Sequence, residues 1–281
     1  MSAEEHTQFL TQLAHDLNSR SIKLPSFPDV VVNIRSALED PGCTSEQLAG
    51  VVRTEAVLSA RLLMAANSAY HNRAGVEILD LDLAISRLGF EVVRNTAITL
   101  AVEQIFNAGK HDDVRDGIKA IWEESLALSS MCFVIAKARG GLNADNAFLC
   151  GLFNGIGKLY LLSKARDFPG LLGDTASFGS VVEQWNASVG SSIVNAWGFS
   201  DDISDSFDLE ENLSHDPRAP ATLVDIVYTA KLIVDDSKAE SRLAETTEPA
   251  PAKLDVTAET LPQVREAWSL HVRSMRESAG A

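Results

Sequence analysis

The chain has 281 residues and a formal net charge of −15, with 46% hydrophobic and 22% charged residues. That length supports a sizeable core, and the composition is that of an ordinary globular protein. So large an acidic excess repels nucleic acid and anionic membrane surfaces, and no dense Lys/Arg cluster offsets it, so neither is an expected partner.

The opening stretch, MSAEEHTQFL, is acidic and has no apolar core, so it does not read as a secretory signal. No apolar run approaches the ~20 residues that a membrane-spanning helix needs. The three cysteines, Cys43, Cys132 and Cys150, are widely spaced and odd in number. They read as reduced thiols, and the expected location is the cytoplasm.

Helical spacing dominates from there. Phe27, Val31, Ile34 and Leu38 fall on one helix face, and EDPGC ends that helix. TSEQLAGVVRTEA opens with a capping box of Thr44 and Gln47. EAVLSARLLMAANSAY is a further apolar-striped helix. LDLDLAISRLGF breaks at Gly89, and EVVRNTAITLAVEQIF continues with Val93, Ala97 and Leu100 on one face. NAGKHDD is a polar break. Beyond it, IWEESLALSSMCFVIAKARGG carries Ile121, Leu128, Met131 and Ile135 along a stripe and stops at Gly140 and Gly141. Three more helical regions follow: NADNAFLCGLFNGIGKLYLLSKA, SVVEQWNASVGSSIVNAWGF and APATLVDIVYTAKLIVDD. SRLAETTEPAPAK reads as a linker because it is polar and contains two prolines, and ETLPQVREAWSLHVRSM as a terminal helix. Only DVVVNI and GSVVEQW lean towards strand, and both sit inside helical spacing. The predicted fold is all-α.

Within the first of these, GLFNGIGKLYLL (151–162) has three features of a phosphate loop: Gly151, Gly157 and Lys158. A Walker A loop requires four residues between its glycines, a Ser or Thr after the lysine and a preceding strand. Here there are five residues between them, Leu159 follows Lys158, and Tyr160 replaces the last glycine of GxGxxG. Both nucleotide fingerprints are excluded. Gly151 and Gly155 lie four apart on one helix face, which suits close helix–helix approach at a cost of ~1 kcal/mol each relative to alanine.

Several stretches together resemble the HDOD family, an offshoot of the HD-domain metal-dependent phosphohydrolases. They are LPSFPDVVVNI (24–34), LSARLLMAANSAY (58–70), AISRLGFEVVRN (84–95), AFLCGLFNGIGKLYLL (147–162) and ASVGSSIVNAWGF (187–199). The resemblance spans roughly residues 20–235. It implies two helical subdomains, about 20–110 and 111–235, the second an HD-like bundle. An N-terminal arm (1–19) precedes them, and a linker (236–253) and C-terminal helix (254–281) follow.

In catalytic HD domains, histidines and aspartates hold a metal that activates water against a phosphate ester. Matched motif to motif, the first histidine position holds Glu124, and the His-Asp pair falls on Asn154 and Gly155. The later histidines fall near Glu210 and Glu211, and the last aspartate near Lys231. Glycine offers no ligand, asparagine is a poor one for borderline or soft metals, and a charged lysine repels a cation. The resemblance therefore implies a degenerate site with no metal or cofactor.

The apolar-stripe positions of Glu124 and Lys231 leave two arrangements open. Either the two face each other and replace the metal as a cross-link, or both reach solvent at the stripe edges. In ANSAY, the resemblance marks Asn67, Ser68 and Tyr70 as a candidate interaction motif; Asn67 and Ser68 also suit a cap on the turn after their helix. The two literal His-Asp pairs, His15-Asp16 and His111-Asp112, read as chance exposed pairs. DLEEN and SDD read as a solvated acidic face, and Trp122, Trp185, Trp197 and Trp268 mostly as core.

The function this implies is a non-catalytic bacterial signalling module that binds a protein partner. Two alternatives remain: a phosphohydrolase with a non-standard site of Glu124, Glu210 and Glu211, or a pseudo-enzyme pocket that binds a small nucleotide.

Overall fold

A computed structural model of the protein describes residues 3–18, 29–72, 75–108, 114–235 and 237–279. Among these residues there is no strand, so the all-α expectation holds, and DVVVNI and GSVVEQW both lie in helices. The expected positions Phe27 and His111-Asp112 lie outside the described residues.

The helices run in chain order as α1 (Ala3–Asn18), α2 (Asp29–Glu39), α3 (Ser45–Val52), α4 (Ala56–Asn67), α5 (Leu81–Leu88) and α6 (Phe90–Ala108). The long α7 (Arg115–Arg139) follows, then α8 (Ala144–Phe153), α9 (Ile156–Ala165), α10 (Pro169–Leu172) and α11 (Thr175–Ala196). The remainder is α12 (Asp201–Asp205), α13 (Leu209–Asn212), α14 (Leu223–Ile233), α15 (Ala239–Glu245), α16 (Ala250–Lys253) and α17 (Leu261–Ala279). They form two compact units that interleave in sequence: residues 1–25 with 106–264, and residues 26–105 with 265–281.

The unit of residues 26–105 and 265–281 is built on α2 to α6. Val31, Ile34, Leu48, Leu58, Leu62, Ile85 and Ile98 are buried in its core. The capping box at Thr44 forms: the Gln47 amide donates to the Thr44 hydroxyl at 3.2 Å, and the Thr44 amide donates to Gln47 Oε1 at 2.8 Å. Asp80 caps α5 by accepting the Leu83 amide, and Gly89 ends it at φ 84°, a conformation that other residues adopt only at a cost.

Sequence neighbours fix the loop after α4. Asn67 donates to the carbonyls of Leu63 and Ile78, at 2.9 and 2.7 Å, and accepts the Ile78 amide at 2.8 Å. Ser68 caps α4 through the Ala65 carbonyl. Both side chains are thus engaged with backbone, whereas Tyr70 is half exposed and edge-on to His71.

The unit of residues 1–25 and 106–264 centres on α7. The loop after α7 turns through two positive-φ glycines, Gly140 and Gly141, and Asn143 caps α8. Helices α8 and α9 then run back along α7. A Cβ on Gly151 would lie 2.4 Å from Ser129 Cα and 2.7 Å from the Leu128 carbonyl carbon. One turn on, a Cβ on Gly155 would lie 2.3 Å from Ser125 Oγ and 2.7 Å from Ile121 Cγ2. Four residues forward on one helix match four back on the other, so the packing is antiparallel. Ser125 and Ser129 are buried, and each hydroxyl is satisfied by a carbonyl of its own helix. Gly157 approaches α11 as closely: a Cβ there would lie 2.3 Å from the Asn186 carbonyl oxygen.

Four expectations need revision. The N-terminal arm belongs to it: Phe9 and Leu13 are buried, and Phe9 packs edge-on against Phe168. Asp16 is also engaged rather than exposed. It accepts from Tyr160 Oη at 3.0 Å and Lys164 Nζ at 2.6 Å, and only His15 of that pair faces solvent. Burial opposes ionisation of Asp16, but the bonds from Lys164 and Tyr160 outweigh it and hold the carboxyl below its ordinary value.

The stretch 236–253, expected as a linker, contains α15 and α16 and is packed. Ala250 joins Leu213 and Val224 in a small apolar cluster. Lys253, nearly fully buried, donates to Asp225 Oδ1 at 3.2 Å and to the Ser214 carbonyl at 3.0 Å. Asp225 is itself fully buried and accepts from the Thr222 amide and hydroxyl, so this buried charge is compensated on both oxygens. Finally, all four tryptophans are partly exposed rather than core; Trp122 leans on Phe106 and Trp197 on Phe153.

Three outcomes follow for stability. Gly151→Ala drives a methyl into α7 backbone and lowers unfolding free energy by about 3 kcal/mol in urea melts. Gly50→Ala, in a helix and with nothing within 4 Å of the added Cβ, raises it by about 0.5–1 kcal/mol. In the other unit, burial and the neighbouring His71 push His271 down to about 4. The unfolded imidazole protonates below about 6.5 while the folded one resists until about pH 4. Stability therefore falls as pH drops through that window, and His271→Gln flattens the melting temperature between pH 7 and 5.

Candidate functional site

The positions matched to the HD metal ligands lie on four elements of one unit. Glu124 is on α7, Asn154 and Gly155 form the junction of α8 and α9, Lys231 is on α14, and Glu210 and Glu211 are on α13. Helix α7 packs against α8, α9 and α14, so it is the common wall.

Asn154 is buried at the end of α8, where its amide donates to the Gly151 carbonyl. Gly155 is buried directly against Ile121 and Ser125, so a methyl group there would have to displace their side chains. Glu210 and Glu211 are exposed on the short α13, capped by Asp208. Among the described residues, no group of three His, Cys, Asp or Glu side chains is placed to hold a metal ion. In particular, Glu124, Glu210 and Glu211 are not brought together as one donor set. The residues present do not fit a transition-metal centre of the HD type.

What the structure does bring together is electrostatic. The Lys158 ammonium donates to both oxygens of Glu124, at 2.7 and 2.9 Å. Of the two arrangements left open, Glu124 does link two helices, but its hydrogen-bonded partner is Lys158 on α9 and not Lys231. The Glu124 side chain is 57% exposed and that of Lys158 26%. A pair that wet contributes ~0.2–1 kcal/mol, so the close packing at Gly151 and Gly155 holds these helices together, and the ion pair adds little.

Lys231 lies partly buried within electrostatic reach of this pair. Burial pushes its ammonium below the ordinary lysine value and Lys158 pushes it further down, while Glu124 and the Cys132 thiol act the other way. Cys132 is itself fully buried; burial and nearby Cys150 raise it well above the usual thiol range, so it stays neutral. The lysine missed by sequence reasoning is Lys158. It was visible only as the residue after a glycine, and nothing in the sequence pairs it with a glutamate 34 positions earlier.

This all-helical arrangement, with α8 and α9 laid antiparallel on α7, defines an HD-like helical protein. Solved structures share it. A protein from Shewanella amazonensis SB2B, provisionally named a metal-dependent phosphohydrolase, superposes with a TM-score of 0.78 at 23% identity, covering 98% of this chain and 99% of that one. An HDOD domain protein of unknown function from Geobacter sulfurreducens gives 0.59 at 20% identity, over 89% and 93% of the two chains. A protein from Marinobacter aquaeolei VT8, provisionally named a signal transduction protein, gives 0.66 at 18% identity, over 98% of this chain and 66% of that one. At such identities these likenesses speak to the fold alone.

The sequence model of the HDOD domain matches residues 24–213, more than half of the chain, and the protein belongs to the HDOD family. It is also similar to an uncharacterized protein of Treponema pallidum (strain Nichols), 23% identical over 241 residues. That stretch is 80% of this chain but 44% of the relative, so the chain spans less than half the length of the curated relative it matches.

The geometry also fixes what restoring the family motif does. Asn154→His with Gly155→Asp lowers the melting temperature, because the new side chain meets Ile121 and Ser125. The variant purified without chelator carries no stoichiometric transition metal by elemental analysis. Tight metal in a folded variant would overturn the matching of these positions.

Proposed function

We propose that this protein is a regulatory HDOD module that acts by binding a signalling partner and not by turnover. One observation carries the reading. Where a catalytic HD domain presents a set of imidazoles and carboxylates, this chain has a glycine packed against α7 and a glutamate already bonded to a lysine. Two cations and one carboxylate make a poor home for a divalent metal, because the lysines supply the charge that the metal would bring. The likeness in fold to a protein named for signal transduction agrees with a regulatory role. The reading places the protein in the cytoplasm of a bacterium. Among the described residues no helix is long and apolar enough to cross a membrane.

The alternative, a phosphohydrolase with a non-standard site, requires Glu124, Glu210 and Glu211 to converge on one ion. Glu124 is already committed to Lys158, and the other two lie on α13.

The test combines elemental analysis of the chelator-free protein with a screen of phosphodiester and phosphomonoester substrates in the presence of Mn²⁺, Fe²⁺ and Ni²⁺. The expected result is neither stoichiometric metal nor turnover. Metal-dependent hydrolysis that is lost in Glu124→Gln would overturn the reading.

A further inference from the structure

We propose that the extended segment of residues 75–80 is a docking edge for a protein partner, which adds a basic, extended peptide to it as a β-strand. The proposal deepens the regulatory reading and rests on it, because it names the kind of segment that the partner presents.

The backbone of this segment is satisfied on one edge and open on the other. Residues 75–80 are in neither helix nor turn, and they lead into α5. In extended backbone, the N–H and C=O of one residue point to one edge and those of the next to the opposite edge. The Asn67 side chain takes the inner edge as a neighbouring strand would. It accepts the Ile78 amide at 2.8 Å and donates to the Ile78 carbonyl at 2.7 Å. Asn72 donates to the Val76 carbonyl at 2.7 Å on the same edge. Glu77 and Leu79 therefore direct their N–H and C=O groups outward, and among the described residues these groups have no hydrogen-bond partner. An edge of this kind is a template for a further strand.

The side chains select the occupant. Val76 and Leu79 are 67% and 77% exposed, more than any other large apolar side chain among the described residues. The Glu77 carboxylate between them is exposed and, among the described residues, unpaired. Asp80 is exposed at the end of the segment. Glu77 and Leu79 lie on one face of the segment, opposite buried Ile78. A strand laid on the open edge meets a carboxylate and an apolar side chain two residues apart. It complements them with a lysine or arginine and an aliphatic residue at the same spacing. A second copy of this chain fits poorly, because it would bring its own Glu77 and Asp80 to the edge in a molecule of net charge −15. The same net charge draws basic segments to the surface.

The experiment follows amide hydrogen exchange in the full chain by NMR. The probes are two acetylated and amidated peptides, Thr-Lys-Thr-Val-Thr-Lys-Thr and its glutamate twin, Thr-Glu-Thr-Val-Thr-Glu-Thr. The free protein exchanges the Glu77 and Leu79 amides rapidly and the Ile78 amide slowly. At millimolar concentration the lysine peptide slows exchange at Glu77 and Leu79 and leaves Ile78 as it was. It binds about fivefold more tightly than the glutamate twin. Glu77→Lys keeps its fold by circular dichroism and inverts that preference. Absence of protection at both amides with either peptide, or equal binding of the two peptides by wild type and by Glu77→Lys, would overturn the proposal and leave the regulatory reading standing. Protection that grows with protein concentration alone would also overturn it, by marking the occupant as a second copy. Metal-dependent turnover of a phosphate ester would instead overturn the regulatory reading on which the proposal rests.

Discussion

The approach of α8 and α9 to α7 is the constraint on which the rest of this unit depends. Gly151 and Gly155 bring two helix backbones so close that a single methyl group at either position would overlap the neighbour. Gly151, inside α8, costs about 1 kcal/mol of helix propensity relative to alanine, so the packing must return more than that. It does so by burying Leu149, Cys150, Leu152 and Phe153 on one side and Leu128, Met131, Cys132 and Ile135 on the other. Ser125 and Ser129 make the approach possible from the α7 side, because their hydroxyls turn back onto their own helix.

That packing decides the chemistry of the site more firmly than the loss of any one ligand. In an HD enzyme the junction after the equivalent of α8 carries the paired ligands. Here the junction has become part of the helix–helix seam, with Asn154 and Gly155 both buried. Of the charged groups on the neighbouring helices, Glu124 and Lys158 form an ion pair, and Lys231 lies within electrostatic reach of both. Glu124 neutralises Lys158, and Lys231 remains partly desolvated beside them. The pair itself is too wet to matter much for stability.

Compensated and uncompensated charges are distributed unevenly in the same unit. Asp225 and Lys253 are buried more deeply than Glu124 and Lys231, yet every oxygen of Asp225 has a donor, and Lys253 also reaches a backbone carbonyl. That pair tethers α16 to α14 and turns a stretch rich in proline and alanine into structure. Asp16, satisfied by Tyr160 and Lys164, does the same for α1.

The sequence by itself determined the helical class, most helix boundaries, the capping box at Thr44, the family and the chemical poverty of the former ligand positions. Those properties depend on local periodicity, on turn-forming glycines and on residue identity, all of which are written linearly. It did not determine that Glu124 would choose Lys158 over Lys231, that Asp16 would be clasped, or that residues 236–253 would pack rather than link. Each of those depends on which distant helices meet and at what rotation. Lys158 lies 34 residues from Glu124, Lys164 lies 148 from Asp16, and Lys253 lies 28 from Asp225. Such pairings are fixed only when burial brings the helix faces together, because an ion pair worth about 1 kcal/mol follows the packing and does not direct it.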